Sequence, residues 1–192
     1  MRFAFLYTII VSVFVSACTY ENLGPEEPTW GTLDVLVNGK KWGERYPGYY
    51  QIVRAQKGIS GNAIPCQNEY YFLRSELYNR NAWLREDLNF IKTPLVAGKY
   101  KVIDFSFVCN ETDPVYGSFY TISDDGDVLQ DRYDVLESED NYIVIDSYDP
   151  KTLEIRGSFQ VTFIIEMRSL NDPSDLADTL RFTNGIFHTK IL

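Results

Sequence analysis

The 192-residue chain contains one histidine, His188, three cysteines and two methionines. A single histidine cannot build a multi-histidine metal centre, and a hydrolytic triad would need a nucleophile placed against it from elsewhere in the chain. There is no GxSxG elbow, no Walker loop and no dinucleotide-binding glycine fingerprint. His188 falls in an alternating C-terminal stretch and is read as a structural or surface residue. Basic residues are also scarce: 18 Lys and Arg face 27 Asp and Glu, for a formal net charge of −9. That balance excludes the basic patch on which nucleic-acid binding depends. Beyond Trp30, no fifteen-residue window carries an apolar stripe at helical spacing, so a helical bundle is excluded and short turns near Glu86 or Asp172–Asp178 are the most helix expected.

The chain does hold 45% hydrophobic and 15% aromatic residues. Over this length that supports one globular domain with its own core, and it excludes a disordered acidic tail or a disulfide-dense miniprotein.

The longest apolar run lies at the N-terminus. Arg2 precedes Phe3–Val15, which ends at Ser16-Ala17-Cys18. One basic residue, thirteen mostly apolar residues and then small ones form the pattern of a secretory signal peptide, and the run is shorter than the roughly 20 residues a transmembrane helix needs. Val15-Ser16-Ala17-Cys18 resembles the bacterial lipobox. The resemblance implies residues 1–17 as a lipoprotein signal peptide, cleavage before Cys18 and lipidation of Cys18, with more than one acyl chain for lasting membrane attachment. Residues 18–29, CTYENLGPEEPT, are acidic and proline-containing with almost nothing apolar, and read as a flexible tether. Residues 30–192 read as a single all-β domain.

Within that domain the apolar period is two. Ile155, Phe159, Val161, Phe163, Ile165 and Met167 alternate with polar residues, which predicts one long strand, with Gly157 marking a bulge or a close backbone approach. Asn141–Asp146 precedes it across Asp149-Pro150-Lys151-Thr152, a turn sequence that makes the two strands a hairpin. Further strands are expected at Thr32–Val37, Tyr49–Gln56, Glu69–Leu77, Ala82–Ile91, Lys99–Cys109, Ser118–Ser123 and Val128–Val135, with turns at Asn38-Gly39 and Asp125-Gly126. Asn184-Gly185, which tolerates positive φ, predicts a terminal hairpin between Leu180–Thr183 and Ile186–Leu192. About ten strands at this spacing define an antiparallel β-sandwich or, alternatively, a partly closed antiparallel β-barrel, since both require the same alternation.

Val37-Asn38-Gly39-Lys40 with Trp42 close behind, Ala97-Gly98-Lys99-Tyr100, Ile155-Arg156-Gly157-Ser158-Phe159 and Phe182-Thr183-Asn184-Gly185-Ile186-Phe187 resemble, in this order and after a lipobox, small all-β lipoproteins of unknown function from Bacteroidota. The resemblance covers most of the mature chain apart from residues 43–80. It implies an outer-membrane lipoprotein facing the periplasm or the cell exterior, and it carries no catalytic residue.

No catalytic, cofactor-binding or metal-binding set is expected. With Cys18 assigned to lipid, Cys66 and Cys109 remain; outside the cytoplasm they either pair as a disulfide or, for Cys109, lie buried as a thiol on the face of Ile103, Phe105 and Phe107. Ser123-Asp124-Asp125-Gly126-Asp127 is acidic enough to suggest calcium, but it lacks the ligand spacing of a calcium loop and reads as a turn. Trp42, Tyr46, Tyr49 and Tyr50 gather around Pro47-Gly48 and are the candidates for stacking on sugar rings, against the alternative that they pack the core and sheet edge. These readings describe a lipid-anchored, non-enzymatic binding or structural accessory domain whose partners are the membrane through Cys18 and surface glycans or envelope proteins. A glycan-binding module and a carboxylate-dependent glycoside hydrolase are the alternatives.

Overall fold

The computed structural model describes residues 31–57, 71–105 and 115–192. They form eleven strands and no helix: β1 (Thr32–Val37), β2 (Lys40–Lys41), β3 (Tyr50–Lys57), β4 (Tyr71–Tyr78), β5 (Leu84–Thr93), β6 (Gly98–Asp104), β7 (Val115–Ile122), β8 (Leu129–Val135), β9 (Tyr142–Asp149), β10 (Glu154–Arg168) and β11 (Thr179–Lys190). The all-β expectation is met, and the anticipated strands that fall on described residues lie within a few positions of their expected ends, apart from the two C-terminal ones, which are a single strand.

A single sheet runs β2-β1-β11-β10-β9-β6-β7-β5-β4-β3, and β8 pairs with both β10 and β7. Those two pairings close β10-β9-β6-β7-β8 into a ring. At the far end of the path, β3 returns to the end of β11 through a parallel bridge between Ala55 and Ile191, so the sheet wraps around one interior as in a sandwich or partly closed barrel. All ladders are antiparallel except that of β6 with β7. The free edge at β2 is two lysines long, a short, charged edge of the kind that resists pairing with other chains.

The core is aromatic. Phe119 packs against Phe182 and Phe163 at centroid separations of 5.1 and 5.9 Å, and Phe90 meets Phe159 edge-on at 4.9 Å. Along β10 the alternation behaves as read as far as Phe163; Ile165 is only partly buried and Met167 is exposed, because the strand outruns the core. In β6 it is Val102, not Ile103, that is fully buried.

The predicted terminal hairpin is not formed. β11 runs unbroken through Asn184-Gly185 because β1 and β10 pair with it on both sides. The dipeptide instead makes a bulge: Phe159 faces Gly185 and Val161 faces Phe182, so two residues of β11 oppose one of β10, with Asn184 at φ 55°. A β-carbon on Gly185 would lie 2.5 Å from the Phe159 ring, so the glycine makes room for that ring across the strand. Gly157 is likewise a close approach beside a register shift: a β-carbon there would lie 2.0 Å from the Val144 carbonyl oxygen. Asn38-Gly39 and the Asp149–Thr152 turn connect β1 to β2 and β9 to β10 as expected, and Lys151 N–H donates to Asp149 Oδ1 at 2.8 Å.

Candidate functional site

Beyond β2 the chain coils tightly instead of continuing the sheet. Glu44 N–H reaches Lys41 O, Tyr46 N–H reaches Gly43 O and Tyr49 N–H reaches Tyr46 O, at 3.3, 2.9 and 3.1 Å. Gly43 makes the coil possible: its φ is +91°, and a β-carbon would lie within 2.6 Å of the Tyr49 ring. The coil carries Trp42, Arg45 and Tyr46 across one end of the sheet, against β5.

There they meet Glu86. On β5 this residue shares the inward face with Leu88 and Phe90, and it is 2% exposed. A buried carboxylate requires hydrogen-bonding partners. Trp42 Nε1–H donates to Glu86 Oε2 and Arg45 Nη2–H donates to Glu86 Oε1. Arg45 also donates to the Tyr46 hydroxyl and, through Nη1, to Asp175. Arg85 is the extra residue of a bulge in β5, since Leu77 pairs with Glu86 but Tyr78 with Leu84. Its guanidinium lies 5.4 Å from the centroid of the Tyr46 ring and 2.7 Å from Asp124 Oδ1. Burial, with the Glu86 charge, pushes the Tyr46 phenol well above its ordinary range. Burial acts to lower Arg45, but Glu86, Tyr46 and Asp175 outweigh it and hold the guanidinium above its usual value.

Of these groups Arg45, Glu86 and Asp175 form the polar end of a cavity of about 280 Å³. Its apolar walls are Val37, Trp42, Phe119, Leu176 and Leu180, with Lys40, Lys41 and Glu44 also in the lining. One wall is the strap 169–178, pinned from beneath by Asp131. That fully buried carboxylate accepts from Ser174 Oγ at 2.6 Å and from Ser169 N–H at 3.3 Å, while Tyr133 O–H donates to Ala177 O at 3.2 Å.

The four aromatic candidates are only partly brought together. Trp42 is 3% exposed, with its indole edge-on to Phe182 at 6.2 Å, so its ring belongs to the core and offers no open platform. Tyr46 is half-buried beside the two arginines. Tyr49 is half-buried under Gly43 and lines a separate opening of about 380 Å³ with Gly31 and Gln51. Tyr50 lies on β3, stacked on Tyr78 of β4 at 5.3 Å and 3°. Cys18, Cys66 and Cys109 lie outside the described residues. His188 is partly exposed on β11, with Nε2 3.3 Å from Glu154 Oε2. The Ser123–Asp127 segment is a hydrogen-bonded turn in which Ser123 Oγ binds Asp125 and Ser123 N–H donates to Val128 O at 2.8 Å.

A second polar group crosses the outer face of β3, β4, β5 and β7. Arg54 pairs with Glu76 at 2.5 Å, Arg74 bridges Glu76 and Asp87, and Tyr120 O–H donates to Asp87. The register sets Arg54 opposite Arg74 and Glu76 opposite Asp87, so like charges face each other across the strands and the ion pairs run diagonally between them.

Glu86, Arg45 and Asp175 were not singled out from the sequence. Glu86 did leave a trace: Leu84-x-Glu86-x-Leu88-x-Phe90 sets an acid at a core-facing position of a predicted strand. Arg45 and Asp175 left none, because their meeting spans 130 residues.

No protein-family model, no curated protein and no solved structure matches this chain. Among the described residues, no helix is long and apolar enough to cross a membrane, and no group of three or more His, Cys, Asp or Glu side chains is placed to hold a metal ion.

Proposed function

We propose that the chain is a non-enzymatic binding domain of the bacterial envelope, anchored at the outer membrane through lipid on Cys18, and that it holds a small ligand in the cavity beside Trp42, Arg45 and Glu86. The observation that carries this reading is the pairing of a buried, fully partnered carboxylate with apolar walls around open space. Ligand sites combine apolar walls with a few fixed polar groups in this way. Both oxygens of Glu86 are held by donors from the 42–46 coil, which suits positioning more than proton transfer. The leader and the tether support the anchor.

The test is native mass spectrometry of the purified protein after incubation with a bacterial metabolite extract. A retained small molecule is expected, and it should be lost from Ala177→Trp, which puts a bulky ring on the cavity lining. Retention undiminished by that substitution would place binding elsewhere. The anchor is tested by labelled palmitate, expected to enter the wild type and not Cys18→Ser.

A glycan-binding reading is favoured by the parallel Tyr50–Tyr78 stack and by Trp83, which is exposed next to Gly126. A glycan array that responds to the wild type and not to Tyr78→Ala would support it.

A further inference from the structure

We infer that the cavity's ligand is a monocarboxylate with a small apolar body, and that its carboxylate replaces Asp175 on Arg45; this rests on the cavity being a binding site. Arg45 faces two acids of opposite character. Glu86 is buried and held from two directions, so it is fixed. The Asp175 side chain is 85% exposed and lies on the strap that forms the cavity wall. An ion pair with so exposed a partner contributes little, so exchanging it for another carboxylate costs little. The exchange also keeps two carboxylates on Arg45, as in the free protein, whereas a neutral or cationic head would leave it with Glu86 alone.

Two further observations point to an anionic head. Arg45 Nε is buried with no hydrogen-bond partner, which leaves a spare donor on the same guanidinium. Beyond Arg45 and its two acids, the lining holds Lys40 and Lys41 against Glu44, with Lys41 3.5 Å from exposed Asp34. The apolar walls set the body. A dry cavity of about 150 Å³ holds a benzene ring; at about 280 Å³, this one has room for a ring, a short chain and the carboxylate. Arg45 matches a planar carboxylate better than lysine would, because its fork of N–H donors is rigid.

The experiment is isothermal titration of the purified protein with 3-phenylpropionate, 3-phenylpropan-1-ol and 3-phenylpropylamine. The acid should bind, with the alcohol about ten-fold or more weaker, and the amine should not bind. Asp175→Asn should keep the fold, since the side chain is exposed, and should tighten the acid about two- to five-fold by removing the internal competitor. Arg45→Gln should abolish the preference for the acid, with the fold checked by circular dichroism. Equal binding of acid and alcohol, no binding of the acid, or an affinity unchanged by Asp175→Asn would overturn the inference. If the acid fails while the metabolite extract yields a different ligand that Ala177→Trp excludes, only the carboxylate assignment falls. If both fail, the cavity reading falls with it.

Discussion

The indole N–H of Trp42, at the start of the coil after β2, donates to the carboxylate of Glu86 on β5, 44 residues further along the chain. The bond ties the coil to the sheet and fixes the polar end of the cavity. Trp42→Phe keeps most of the packing against Phe182 but leaves Glu86 Oε2 without that donor. It should cost about 1–3 kcal/mol in urea unfolding. In a double-mutant cycle with Glu86→Gln the two losses should be non-additive by more than about 0.5 kcal/mol; additivity would mean the bond contributes nothing specific.

Gly157 and Gly39 separate crowding from backbone strain. An alanine at 157 collides with the Val144 carbonyl and the Phe187 ring, whereas at 39 it meets nothing within 4 Å and only the φ of +82° opposes it. Gly157→Ala should destabilise by about 3 kcal/mol or more, and Gly39→Ala by roughly 1 kcal/mol. Thermal unfolding of the two variants should rank them in that order.

Three half-buried phenols set the alkaline limit. Burial, followed by nearby Glu76, pushes Tyr78 up to about 12, and burial with Glu86 or Asp87 raises Tyr46 and Tyr120 as well. Unfolded tyrosine ionises near pH 10. The folded state therefore holds protons that the unfolded chain releases, so this contribution is complete below about pH 10 and is lost as pH rises toward the folded values. The urea midpoint should fall between about pH 10 and 12, and phenolate absorbance should show a class of tyrosines that ionises only as the protein unfolds.

Asp131 holds the strap. Replacing it with alanine removes the acceptor for Ser174 Oγ and leaves Ser169 N–H with the Gln130 carbonyl alone. Amide exchange across 169–178 should then accelerate while the β10–β11 ladder stays protected, and limited proteolysis should cut within the strap. Protection unchanged from the wild type would show that other contacts secure it.

Strand positions were legible because alternation is local: each inward residue of β10 as far as Phe163 is visible without knowledge of its partner. Asn184-Gly185 misled because positive φ serves a bulge as readily as a hairpin, and only the flanking β1 and β10 decide between them. The aromatic cluster near Pro47 was visible, but its division was not. Trp42 turned inward to Glu86 and Phe182 while Tyr50 paired with Tyr78, and both outcomes depend on residues distant in sequence. The acid at position 86 broke an apolar row, and that break was the one local sign of the site.

Proton–nitrogen NMR of the tryptophan indole N–H groups tests the binding site most directly. Trp42 Nε1–H is hydrogen-bonded within the cavity wall, whereas Trp83 is exposed beside Gly126. On titration with a ligand recovered from the metabolite extract, the Trp42 indole resonance should move in proportion to occupancy while that of Trp83 stays in place. A Trp42 resonance that remains fixed at saturation would contradict the assignment of this cavity as the binding site.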